Sequence, residues 1–219
     1  MRYFVLSTVV LLCIIGVSAI ICPKPFLDLV SSECAVTANR SASFYLNDDY
    51  DTVRKVFVRS NASTELVEIT SGKVISQEMA KPNFELKKVR PLQWCVHTDV
   101  LMKIRPYDPE LSKSVIALNN KIRIDQESMV IRTGLTKPVR MLKQYDTALI
   151  MVREGNRTRV DISVGICVMM RIPYKEKYQP MIQDHVDESC KIAILKLERG
   201  IRQVVNEHRG TIVSWQFRK

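Results

Sequence analysis

The chain has 219 residues, 46% of them hydrophobic, and a formal net charge of +10. That length supports one ordinary domain with a packed core. No Gly-x-Ser-x-Gly elbow and no glycine-rich phosphate loop occurs in it, so the hydrolases and nucleotide enzymes marked by those motifs are excluded.

The first nineteen residues read as an export leader. Arg2 precedes an apolar run from Tyr3 to Ile15, Gly16 breaks the helical tendency, and Val17-Ser18-Ala19 supplies small residues for cleavage after Ala19. Residues 1–19 are therefore expected to be a signal peptide, and 20–219 a single glycosylated, disulfide-containing domain. An uncleaved anchor extended through Cys22 is the rival reading. Three acceptor sequences for N-glycans agree with export: Asn39-Arg40-Ser41, Asn61-Ala62-Ser63 and Asn156-Arg157-Thr158. Cleavage leaves Cys22, Cys34, Cys95, Cys167 and Cys190 as disulfide candidates. Their odd number leaves one thiol free or paired with another chain. The pairing expected within the domain is Cys167 with Cys190.

Along the chain, a helix is expected from Pro25 to Ala38, then a loop over Ser41 to Thr52. Val53 to Arg59 and Thr64 to Thr70 read as a hairpin with Asn61 in its turn, and Ser71 to Asn83 as a loop. Gln93 to Arg105 and Lys121 to Arg132 read as strands. Between them a helix is expected from Pro109, capped by Asp108, with Leu111, Val115 and Leu118 inward.

The strongest signal lies between Tyr145 and Ile172. Val160, Ile162, Val164, Ile166, Val168, Met170 and Ile172 alternate with mostly polar neighbours, the period of a strand with one buried face. Gly155-Asn156 supplies a two-residue turn, glycine first as a type II′ turn prefers. Folding there sets Met151 against Val160, Leu149 against Ile162, Thr147 against Val164 and Ile150 against Asp161. Gly165 is the expected place of a bulge that shortens so long a strand and turns Cys167 toward the core.

After Pro180, Ile182, Val186, Cys190, Ala193, Leu197, Ile201 and Val204 recur at helical spacing and form one apolar stripe, widened by Ile194 and Val205. Gly200 allows close approach of another element, a strand by expectation. Gly210 reads as the C-terminal cap, with a last strand over Thr211 to Phe217. The fold class expected is α+β: an antiparallel sheet of hairpins with a long C-terminal helix packed on one face.

Candidate sites are few. Cys95, His97 and Asp99 share one face of a strand, but neighbours two apart lie about 6.5 Å apart along it, too far for a nucleophile and its base. Asp184, His185 and Glu188 on the long helix lack further ligands to close a metal site. No cofactor or metal is expected. Arg153, Arg157 and Arg159 form a basic hairpin tip able to contact an anion. Met151, Met169, Met170 and Met181 mark an apolar pocket or simply core.

The reading that follows is a secreted, non-enzymatic interaction glycoprotein that binds an extracellular macromolecule or a lipophilic small ligand. The alternatives are a secreted hydrolase with a dispersed site and a membrane-tethered ectodomain. The basic balance reads as colloidal solubility first and, beside it, as affinity for acidic partners, sulfated polysaccharide among them, and not for nucleic acid.

Overall fold

The computed structural model describes residues 31–59, 62–81, 83–87, 93–107 and 114–216. The leader, Cys22, Asn61 and the segment around Asp108 and Pro109 lie outside the described residues.

The chain begins with strand β1 (Ser31–Leu46), followed by helices α1 (Tyr50–Arg59) and α2 (Ala62–Thr70). Seven strands come next: β2 (Gly72–Met79), β3 (Asn83–Lys87), β4 (Gln93–Pro106), β5 (Ile116–Ile124), β6 (Ser128–Leu135), β7 (Leu142–Glu154) and β8 (Arg157–Pro173). Helix α3 (Lys175–Gln216) closes the chain. All strands join one antiparallel sheet in the order β1-β8-β7-β6-β5-β4-β2, with β3 pairing β4 along the same edge as β2. This is the α+β arrangement expected, with the long helix on one face.

The β7–β8 hairpin has the expected register: Met151 faces Val160, Leu149 faces Ile162, Thr147 faces Val164 and Ile150 faces Asp161. Gly155 takes φ of 63°, as the first residue of a type II′ turn must. Val160, Ile162, Val164, Val168, Met170 and Ile172 are buried on the inner face.

Helix α3 lies over β1 and β8 and buries Ile182, Val186, Cys190, Ile194, Leu197, Ile201, Val204 and Val205. Helix α1 packs on β7, β8 and α3, and α2 packs on β2 and α3. A Cβ on Gly200 would meet Leu66 Cδ1 at 2.9 Å and Ile69 and Thr70 at 3.4 Å, so the close neighbour at Gly200 is α2, not a strand.

Several expectations are corrected. Val53 to Arg59 and Thr64 to Thr70 are helical. Val53, Val56 and Phe57 are buried at spacings of three and four, a helical stripe and not an alternation. Asp49 caps α1, accepting hydrogen bonds from the Thr52 backbone amide at 2.9 Å and its hydroxyl at 2.8 Å. Ser31 to Ala38 is strand, because Cys34, Val36 and Ala38 are buried alternately against β8. Most of Ser41 to Thr52 is thereby strand or helix.

The supposed loop after Ser71 contains edge strand β2, mostly exposed and so without a clear apolar period. Leu118 sits in β5 and Val115 is exposed beside it, so the helix expected through them does not form. Helix α3 starts at Lys175, before Pro180, and runs through Gly210 to Gln216 in place of a cap and a final strand. Gly165 keeps regular pairing with Asn39 and Asp146. The irregularity falls in β7 instead, between Leu142 and Gln144.

Without a bulge at Gly165, Cys167 stays on the outer face, whereas Cys190 is buried under α3 with its thiol 3.6 Å from the Ala38 carbonyl. The sheet separates them, so the expected Cys167–Cys190 disulfide cannot form. Among the described residues Cys34, Cys95, Cys167 and Cys190 form no disulfide with one another.

Gly155→Val is expected to lower stability by about 1–3 kcal/mol, the cost of holding a β-branched residue at positive φ. Urea denaturation with an unchanged m-value checks it.

Candidate functional site

Successive strands β5, β6 and β7 each carry one polar residue in the phase otherwise reserved for core side chains. On β5 the inward residues are Ile116, Leu118, Asn120, Ile122 and Ile124. On β6 they are Met129, Ile131, Thr133 and Leu135, and on β7 Tyr145, Thr147, Leu149 and Met151. The register places Asn120 opposite Thr133, Thr133 opposite Thr147, and Thr147 opposite Val164. The three polar residues therefore form one row across the middle of the inner face. All three are buried, Asn120 with 1% of its surface exposed.

The row runs between two apolar clusters. One gathers β1, β6, β7, β8, the end of β5 at Ile124 and all three helices; the other gathers Val67, Val100, Met102, Ile104, Ile116 and Leu118. Half-buried side chains flank the row: Ile122, Leu135, Leu142, Tyr145 and Ile166. Helix α3 covers β1 and β8, α1 reaches β7 and α2 covers β2, so the inner face of β4, β5 and β6 is less fully roofed.

Thr133 donates its hydroxyl to Asn120 Oδ1 at 3.2 Å. Asn120 Nδ2 is buried and has no hydrogen-bond partner. An amide donor left in that state costs about 1–3 kcal/mol. Tyr145 continues the line from Thr147. Its half-buried side chain lies near Ser71 and Cys190. Burial raises its pKa above 10.0, against the opposing pull of the Ser71 hydrogen bond. The Cys190 thiol is also pushed up, first by burial and then by Asp187. Neither group is poised as a nucleophile. The arrangement offers one amide donor, two hydroxyls and a phenol in an apolar frame, which suits holding a ligand with one polar end.

The candidates read from the sequence are not brought together. Arg153 is turned back onto the protein, 2.8 Å from Asp51 and 3.2 Å from Glu127, with its guanidinium 5.4 Å from the centre of the Tyr50 ring. Arg159 contacts Glu154 and Asp161, and Arg157 stands exposed opposite Glu154. Asn156 is exposed in the turn, and Asn39 is exposed in the middle of β1. Met151 and Met170 are buried in the core, whereas Met181 is 56% exposed.

Cys95 Sγ lies 3.4 Å from His97 Nε2, closer than strand spacing alone suggests because both side chains lean together. Cys95 is buried, with 1% of its surface exposed. Among the described residues no group of three His, Cys, Asp or Glu side chains forms a metal set. No described helix is long and apolar enough to cross a membrane. The polar row was missed in the sequence, although an Asn and two Thr in the apolar phase of alternating strands are its visible trace.

No protein-family model matches the chain, and no curated protein matches it. Similar solved structures include the ZhuI aromatase/cyclase from Streptomyces sp. R1128, at 9% identity over 81% of this chain and 96% of that one, with a TM-score of 0.44. Norcoclaurine synthase from Thalictrum flavum, in complex with dopamine and hydroxybenzaldehyde, is 11% identical over 86% of this chain and 95% of its own, with a TM-score of 0.42. A START superfamily protein from Mycobacterium smegmatis is 11% identical over 76% and 98%, with a TM-score of 0.41. Likeness at this level decides nothing about ligand or activity.

An unfolded tyrosine ionises near 10.0, and Tyr145 ionises above that in the folded chain. Its contribution to stability is therefore complete below about pH 10 and is lost as pH rises toward the folded value. Tyr145→Phe is expected to flatten the fall of stability above about pH 10, read by denaturant titration at several alkaline pH values.

Proposed function

We propose that this chain is a non-enzymatic binding protein, holding a small amphipathic ligand between the inner face of its sheet and its helices. The observation that carries the reading is the buried Asn120 amide, unpartnered within a row of otherwise apolar phase. A ligand oxygen at Asn120 Nδ2 would supply the missing acceptor, and the hydroxyls of Thr133 and Thr147 stand beside it. Ile122, Leu135, Leu142 and Ile166 would line the hydrocarbon end.

Export is part of the same proposal. It is supported by the leader pattern of residues 1–19 and by the sequons at Asn39, Asn61 and Asn156. In that setting the chain is a secreted glycoprotein, and its cargo an extracellular lipophilic compound.

Native mass spectrometry of the purified chain, with organic extraction of bound material, is expected to find a compound with one polar end. An environment-sensitive fluorescent fatty acid should bind and be displaced by that extract. The paired variant Asn120→Leu with Thr133→Val removes both hydrogen-bonding partners at similar shape, a change that is nearly neutral or stabilising in a buried pair. It should keep or raise the thermal midpoint while weakening binding about tenfold. Unaltered probe affinity in this variant, or a wild-type chain that binds neither probe nor extract, would overturn the reading.

A further inference from the structure

On the opposite face of the sheet, away from α3, small side chains open a groove of about 760 Å³. Its floor crosses three strands through Gly134, Ala148, Ser163 and Gly165. A Cβ on Gly134 would stand 2.5 Å from Asp146 Oδ1, and one on Gly165 would stand 2.6 Å from Asn39 Oδ1. Both polar side chains thus lie down over glycines, edging the groove. Gln144 donates to Asp146, and Asn119 lies next to Gly134 across the strand pair.

One end of the groove carries a charge conflict. Lys121 and Arg132 sit directly opposite each other on β5 and β6. Like charges so placed repel, and nothing in the packing of an exposed pair offsets that. Asp99 faces Lys121 from β4, which gives one carboxylate for two cations. Among the described residues neither Lys121 nor Arg132 makes an ion pair. An anion set between them would turn the repulsion into attraction.

We propose that this groove is a second binding site, which takes an anionic saccharide bearing a sulfate or a uronate carboxylate. Arg132 and Lys121 hold the acid group. Asp146 and Gln144 engage the hydroxyls, since carboxylate and amide groups supply the acceptors and donors that neighbouring hydroxyls require. The low floor lets a flat ring settle against the strands. Most of the residues lining it are polar and none is aromatic, which sets this site apart from the apolar frame on the inner face. The two readings rest on different side chains, although Thr133, Leu135 and Thr147 also border the groove.

The test uses the full chain prepared without N-glycans, because a glycan on Asn39 would enter the same groove. Titration calorimetry with a heparin-derived sulfated disaccharide is expected to show one site that weakens as salt rises. The desulfated disaccharide should bind about tenfold or more weakly, as should the sulfated one to the exposed-face variant Arg132→Ala with Lys121→Ala. Ser163→Leu fills the floor and should abolish binding while the far-UV circular dichroism spectrum and thermal midpoint stay as in the wild type, which reports an intact fold. Equal affinity in the arginine–lysine variant would place the sugar elsewhere on the basic surface and overturn the proposal. Inorganic sulfate binding as tightly as the disaccharide would reduce the site to a bare anion seat, and no binding at all would remove it.

Discussion

Side chains alternate across a strand, so the facing of every residue in this sheet depends on the phase set by pairing. A slip of one residue between β7 and β8 would carry Leu149 and Met151 to solvent and bring Ile150 and Val152 inward in their place. The two-residue turn at Gly155 and Asn156 prevents the slip, because its backbone geometry admits one register. From β8 the same phase passes to β1, and from β7 to β6, β5 and β4. Helix α3 then finds a continuous apolar floor on β1 and β8, and α1 anchors at the hairpin end. There Tyr50 donates to the Asp125 carbonyl at 3.0 Å, beneath Arg153.

The fixed phase also makes the polar row a choice that costs stability. Three adjacent strands place Asn120, Thr133 and Thr147 where Ile, Leu or Val would pack better, and one amide donor is left unpaired. Chains tolerate such a cost where function needs it. The two proposed sites are back to back. Asn119, Gly134 and Asp146 of the outer groove are the chain neighbours of Asn120, Thr133 and Thr147, so one sheet thickness separates the two.

What could be read from the sequence was local and strongly periodic. Val160 to Ile172 and the stripe from Ile182 to Val205 each carry enough repeats to declare their period. Val53, Val56 and Phe57 offered too few repeats for that, and β-branched composition favoured strand over the helix that Asp49 starts. Strand β1 was obscured because its second half, from Asn39 to Ser43, is exposed throughout and shows no apolar alternation. The candidate sites were harder still. Asn120, Thr133 and Thr147 lie far apart in the chain and become a row only through two registers that no single segment encodes. Cys167 and Cys190 looked like partners because a bulge was assumed at Gly165; with regular pairing there, parity puts them on opposite faces.

Among the described residues strand β1 ends the sheet, with no strand paired to its outward backbone groups. Two of its carbonyls, at Thr37 and Tyr45, instead accept hydrogen bonds from Gln183 at 3.1 Å and Arg202 at 3.2 Å, both side chains of α3. The two carbonyls are eight residues apart and so share a phase. The C-terminal helix thus acts as a guard rail along an open border as well as a lid over the core. A chain that lost its grip on that helix would expose a ready template for another copy's strand, and its first failure would be growth into sheet-extended assemblies ahead of simple unfolding.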